Sequence, residues 1–257
     1  MTPAIEVIHA SKMYRRHSRR HQLTTLKSAL LSRSVISGLK PDETFPALHD
    51  VSFTVPKGIT YGIVGRNGSG KSTMLKLLAG ITKPTSGTVH VNGRVSALIE
   101  LGAGFHPEIS GRENVFINGI MLGLSKREIT RRFDEIVEFA ELEDFIDAPV
   151  KTYSSGMYMR LGFAVAIHVN PDVLLIDEVL AVGDASFQQK CFDEFRKLKA
   201  AGKTIVFVTH DMSSVQRFCD RAMLLDKGRM IELGEPSFIA KRYNELNFGR
   251  SVHQVPA

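Results

Sequence analysis

The chain has 257 residues, 43% of them hydrophobic and 23% charged, enough to bury a sizeable core around one α/β domain with an attached subdomain. Its net charge is +6, and residues 1–45 carry most of it: eight Lys and Arg stand there against Glu6, Asp42 and Glu43. Two cysteines, Cys191 and Cys219, lack metal-type spacing and fit a reduced compartment, and no apolar run reaches the ~20 residues of a membrane span. With no signal peptide pattern either, the chain is not expected to cross a membrane by itself. A basic arm suits nucleic acid, anionic lipid headgroups or acidic substrates alike.

In chain order, residues 4–9 alternate as an edge strand, and Tyr14 follows after a short turn. Residues 15–45 hold Arg15, Arg16, Arg19 and Arg20 and then a helix-compatible stretch over 23–39, closed by Gly38 and Pro41. Residues 47–55 read as a second strand and 59–64 as a third, which runs into a glycine-rich loop and a helix over 74–79. A β-rich patch is expected over 88–101, and amphipathic helices over 126–146, with apolar residues at Ile129, Phe133, Ile136, Val137 and Ala140. Then come a helix over 156–169, a buried strand over 173–176, a helix over 187–200 and a strand over 204–209. A helix over 212–218, strands over 222–226 and 228–233, a helix over 237–246 and a polar tail complete the chain. Alternating strands and helices argue for a mainly parallel α/β sheet.

The chemistry centres on residues 65–73, Gly-Arg-Asn-Gly-Ser-Gly-Lys-Ser-Thr, a full match to a phosphate-binding loop between a strand and a helix. Gly65, Gly68 and Gly70 let backbone N–H groups turn toward phosphate oxygens, with Asn67, Ser69 and Thr73 completing the loop. Lys71 is expected to reach the β/γ-phosphates and Ser72 to ligate Mg²⁺. Downstream, the apolar run 173–176 delivers Asp177 and Glu178 at its C-terminal end, where open α/β sheets place their ligands. Asp177 suits the Mg²⁺ water shell and Glu178 the attacking water, because phosphoryl transfer needs positioning and charge neutralisation. His210 ends the next strand within reach of a γ-phosphate oxygen. The chain is therefore expected to bind and hydrolyse a nucleoside triphosphate.

Taken together, Tyr14, the loop from Gly65 to Ser72, the segment Tyr153, Ser154, Ser155, Gly156 and Met157 with Arg160, Asp177 with Glu178, Asp184 and His210 resemble the nucleotide-binding subunit of ABC transporters. The resemblance implies a P-loop NTPase ABC ATPase fold: a mainly parallel core sheet, an N-terminal antiparallel β subdomain and a helical subdomain near 105–165. One ATPase domain would occupy 1–250, with a basic insertion at 15–45 and a polar tail at 251–257. It implies ATP and Mg²⁺ as cofactors, Tyr14 as the adenine platform, Glu178 as the catalytic carboxylate, Asp184 as the D-loop aspartate and His210 as the switch histidine. Ser154, Ser155 and Gly156 form the signature, offered in trans to a second copy's nucleotide. This segment departs from the common Leu-Ser-Gly-Gly-Gln, and no Gln stands at the Q-loop, where Glu100 is the nearest metal-side candidate.

The Tyr-Ser-Ser-Gly-Met segment, the loop Glu-Leu-Gly-Ala-Gly-Phe-His-Pro, Gly-Arg-Glu-Asn and Asp-Glu-Val-Leu-Ala-Val-Gly-Asp resemble one branch, the ATPases that export lipid-linked polysaccharides. That implies export of O-antigen, capsule or teichoic acid by a head-to-tail homodimer with two copies of a transmembrane permease, at the cytoplasmic face of the inner membrane. The loop 105–107 would pass movement to the membrane subunits. The C-terminal carbohydrate-binding domain of some members is expected to be absent. The four arginines of the insertion would face a lipid-linked pyrophosphate or anionic headgroups. A soluble ABC ATPase acting on nucleic acid or ribosomes is the alternative from another class; it usually carries two cassettes or a long inserted arm, neither seen here, so no nucleic-acid partner is expected.

Overall fold

The structure, a computed structural model, describes residues 2–16, 43–98, 104–177 and 183–251. Three strands, β1 (Ile5–Arg16), β2 (Glu43–Val55) and β4 (Ser86–Val91), form an antiparallel sheet in the order β2-β1-β4. A second sheet has the order β5-β6-β7-β3-β8-β9, from β3 (Thr60–Val64), β5 (Val95–Leu98), β6 (Val173–Ile176), β7 (Thr204–Thr209), β8 (Arg221–Asp226) and β9 (Arg229–Gly234). Its first five strands run parallel, and β9 returns antiparallel to β8. The expected fold is the observed one.

The parallel strands owe their near-continuous apolar sequence to burial on both faces. Ile205 and Phe207 of β7 enter one core while Val206 and Val208 enter the other, and Leu174 and Ile176 of β6 are set against Val173 and Leu175 in the same way. The first core packs α4 (Ser155–His168), α5 (Ala185–Ala200), α6 (Met212–Phe218) and α7 (Pro236–Ser251) on the sheet. The second holds α1 (Lys71–Leu78) and the antiparallel sheet, where Phe53 stacks on Tyr61 at 5.7 Å. A third core joins α2 (Gly111–Met121), α3 (Lys126–Ala140) and α4 into the helical subdomain.

Several expectations are corrected. Tyr14 does not follow a turn after a short strand: β1 continues through it to Arg16, because irregularities between Val7 and Met13, with His9 at φ 48°, bend the strand without ending it. Likewise β2 begins at Glu43 rather than at residue 47, and Arg15 pairs with Thr44, so both ends of the basic insertion are strand. The stretch 88–101 is two strands in different sheets. Helix α2 was missed, since its apolar residues show weak periodicity; its signal was the capping box of Ser110 and Glu113. The same device, Ser125 with Glu128, starts α3, which ends at Ala140 before a left-handed Glu141. Helix α5 begins two residues early because Asp184 caps it. The expected helix over 23–39, together with Arg19, Arg20, Glu100 and Glu178, lies outside the described residues.

Phe187 is fully buried and binds the layers together: its ring meets Phe139 of α3 at 5.6 Å and Phe163 of α4 at 6.1 Å, both edge-on. Phe187→Ala is expected to lower unfolding free energy by about 3–5 kcal/mol, read as a fall in urea midpoint; an unchanged midpoint would remove Phe187 from this role.

Candidate functional site

The strand order explains the site. Strand β7 lies between β6 and β3, so the C-terminal ends of all three sit side by side. From β3 the chain enters the loop whose Gly70 caps α1 at φ 107°, a value a side chain resists. A Cβ there would lie 2.6 Å from the Ala47 carbonyl oxygen, and one at Gly65 would lie 2.2 Å from that of Leu225. The loop is thus wedged between β2 and β8.

An open cavity of about 560 Å³ is lined by Asn67, Gly68, Gly70, Lys71, Ser72 and Thr73 from the loop, by Asp177 from the end of β6, and by Phe45, Pro46 and Ala47 from β2. Lys71 is buried, and its Nζ donates to the carbonyl oxygens of Gly65 at 2.8 Å and Arg66 at 3.0 Å. Beside it the Ser69 hydroxyl is buried without a hydrogen-bond partner among the described residues. Such a cradle suits a triphosphate. Ser72 and Asp177, both in this lining, could supply a hydroxyl and a carboxylate oxygen to a divalent cation. That fits Mg²⁺, which takes one or two carboxylates plus phosphate oxygens and water; no cluster of three acidic, His or Cys groups stands among the described residues.

Other predicted residues lie elsewhere. His210 is exposed directly after β7, next to Asp211, whose backbone N–H donates to Thr209 Oγ1 at 3.0 Å. Tyr14 is outside the cavity lining, its ring centre 5.8 Å from that of Phe45, which is in it. Ser154, Ser155 and Gly156 line a separate opening of about 460 Å³ together with Arg160, Gly183 and Asp184. Ser154 caps α4 by accepting from the Met157 N–H. Within one copy, then, the phosphate loop and the signature do not meet.

Sequence reasoning passed over two fastenings. Arg160 donates to Glu141 Oε2 at 2.8 Å and to Asp184 Oδ2 at 2.6 Å, its guanidinium 5.0 Å from the centre of the Phe187 ring, while Lys190 also pairs with Glu141. The Phe187 N–H and Arg160 hold the Asp184 carboxyl below its ordinary range, and Lys190 does the same for Glu141. Asn114, buried, accepts from the His106 N–H at 2.7 Å and donates to the carbonyl oxygens of His106 and Ser110, pinning the loop 105–107 to α2. Phe105 meets Tyr158 of α4 edge-on at 5.1 Å. The two cysteines are buried, which pushes both thiols up to about 12 and makes them inert.

With the fold and these groups in place, comparison with known proteins is direct. The pattern of the ABC transporter family matches residues 48–181, and the chain belongs to that family. Among curated relatives it resembles the O-antigen export system ATP-binding proteins RfbB of Myxococcus xanthus, 53% identical over 91% of this chain, and of Klebsiella pneumoniae, 45% identical over 95%. The chain spans 54% of the length of the first and 99% of the second. The teichoic acids export ATP-binding protein TagH of Bacillus anthracis is 46% identical over 80% of the chain and 38% of its own length. A bacterial ABC transporter cassette solved as a dimer superposes with TM-score 0.70 at 25% identity, covering 90% of this chain and 98% of that one.

Asp211 caps α6, accepting from the hydroxyls and N–H groups of Ser213 and Ser214. Those bonds, Ser214's hydroxyl first, hold its carboxyl down from 3.8 to about 2. Because the folded value is depressed, the stabilisation is present above pH ~4 and disappears as pH falls toward 2. Asp211→Ala is expected to cost about 1 kcal/mol at pH 7, or 2–4 °C in Tm. In thermal melts the gap from the parent should close between about pH 4 and 2; a gap constant with pH would refute the ionic cap.

Proposed function

We propose that this chain is the ATP-hydrolysing subunit of an exporter of lipid-linked polysaccharide, O-antigen or capsule, acting peripherally at the cytoplasmic face of the inner membrane. The observation that carries the reading is the single cavity in which Lys71, Ser72 and Asp177 converge. The names of the Myxococcus and Klebsiella relatives support the cargo, and the TagH relative supports teichoic acid as the second cargo reading. Among the described residues no helix is long and apolar enough to cross a membrane. In this reading translocation belongs to a separate transmembrane permease, taken as two copies, which the export-system names of the relatives support.

In the mechanism Lys71 exchanges its two carbonyl partners for β/γ-phosphate oxygens, and the loop N–H groups orient the triphosphate. Ser72 and Asp177 would hold Mg²⁺, with Glu100 as the metal-side candidate; when bound, the cation would supply charge neutralisation across the phosphates. Glu178 orients the attacking water and accepts its proton, and His210 donates a ring N–H to the γ-phosphate. In this reading Ser154, Ser155 and Gly156 serve a second copy's nucleotide in a head-to-tail dimer with Asp184 at its seam; their position in an opening separate from the phosphate cavity, and the related cassette solved as a dimer, support it.

Purification of the tagged chain from detergent-solubilised membranes, followed by mass spectrometry, tests the cargo. A stoichiometric multi-span subunit with an isoprenoid-linked glycan is expected; recovery with ribosomes or nucleic acid would overturn the transport reading. Glu178→Gln is expected to cut phosphate release at least ~100-fold while ATP binding persists and the dimer becomes stable on size-exclusion chromatography with Mg-ATP. Full turnover in that variant would displace Glu178 from catalysis.

A further inference from the structure

Among the described residues, positive φ outside glycine occurs at His9, Asp50, Glu141, Asn170 and Lys227. His, Asp and Asn tolerate that region, and Lys227 stands with Gly228 in the two-residue turn between β8 and β9, which demands it. Neither reason applies to Glu141. It ends α3 at φ 58° and ψ 49°, its N–H donating to the Glu138 carbonyl at 3.2 Å and the Leu142 N–H to that of Val137 at 3.3 Å. This closure ordinarily takes glycine, so a side chain there is strained.

The side chain grips cations from two other helices. Oε2 accepts from Arg160 of α4 at 2.8 Å, and Oε1 pairs with Lys190 of α5. Arg160 turns the other arm of its fork to Asp184, at the start of α5, at 2.6 Å. Its guanidinium is confined further by the Phe187 ring, 5.0 Å away, and by Gly183, where a Cβ would lie 3.3 Å from Nε. Resting on the in-trans reading above, we propose that Glu141 is a positioning residue for ATP hydrolysis: it fixes Arg160, and through it Asp184, at the signature opening that receives a second copy's nucleotide.

Stability does not account for the arrangement. The Glu141 side chain is 42% exposed and that of Asp184 62%, and ion pairs so open to water add little to folding. A strained residue whose contacts return little stability marks a geometry kept for use. Arg160 and Asp184 locate that use, because both line the opening with Ser154, Ser155 and Gly156. Glu141 stands outside this lining, so it acts through Arg160 and not on a nucleotide.

Steady-state ATPase rates, ATP affinity and thermal melts of the full chain and its variants test this. Glu141→Gly supplies the residue that the backbone prefers, so its Tm is expected to be no lower than the parent's. Its kcat is expected to fall about tenfold through loosened geometry, while ATP affinity, set in the separate phosphate cavity, stays unchanged. Glu141→Gln keeps the length of the side chain and removes its charge, and should move kcat the same way. Arg160→Lys keeps the cation but lacks the fork that holds both carboxylates. Combined with Glu141→Gly it should cost no more than the larger single loss, since both act along one path. Parent-level kcat in both Glu141 variants, a kcat loss that only tracks a lower Tm, or losses that multiply in the double variant would overturn the assignment. If Glu178→Gln stays monomeric with Mg-ATP while the parent hydrolyses ATP, the in-trans reading beneath it fails instead.

Discussion

Burial of the parallel strands on both faces is the constraint on which the rest depends. Residues of β6, β7 and β3, and the middle four of β8, have no solvent face on which to carry polar chemistry, so the chemistry is displaced to the strand ends. With β7 between β6 and β3, Asp177, His210 and the phosphate loop leave the sheet at one edge, although more than a hundred residues separate the loop from Asp177 in sequence. The same packing wedges the loop between the backbones of β2 and β8, so its shape is held before any ligand arrives.

This part of the molecule was legible in the sequence because its signals are local. A glycine loop followed by Lys-Ser, and a short apolar run ending in two carboxylates, each declare their geometry within a few residues. Signals that depend on tertiary pairing were weaker. The continuation of β1 through Tyr14 is set by its partner β2 and by bulges near His9, and propensity does not record either. Helix α2 has little amphipathic pattern because Asn114 and Asn118, both buried, stand on its inner side; its capping box was readable and was passed over. Asp184, taken alone, looked like loop punctuation, and its role as a cap appears only once Arg160 and the Phe187 N–H are placed beside it.

The two openings divide the chemistry between two surfaces. The phosphate cavity collects groups from the sheet ends, whereas the signature opening collects groups from α4 and the start of α5. Arg160 joins the latter pair of elements to Glu141 at the end of α3, mostly shielded from solvent at 18% side-chain exposure. Its two carboxylates come from different elements, so the signature helix, α3 and Asp184 are fixed to one another by one cation.

The pinning of the loop 105–107 carries a mechanical consequence. Asn114 holds its backbone to α2 through both a donor and an acceptor, and Phe105 rests against Tyr158 on α4, the helix that Ser154 caps. A load applied to this loop has little slack to absorb it. Loop, α2 and α4 are thus fastened to one another, so a displacement of the loop is expected to carry both helices, including the end of α4 that Ser154 caps.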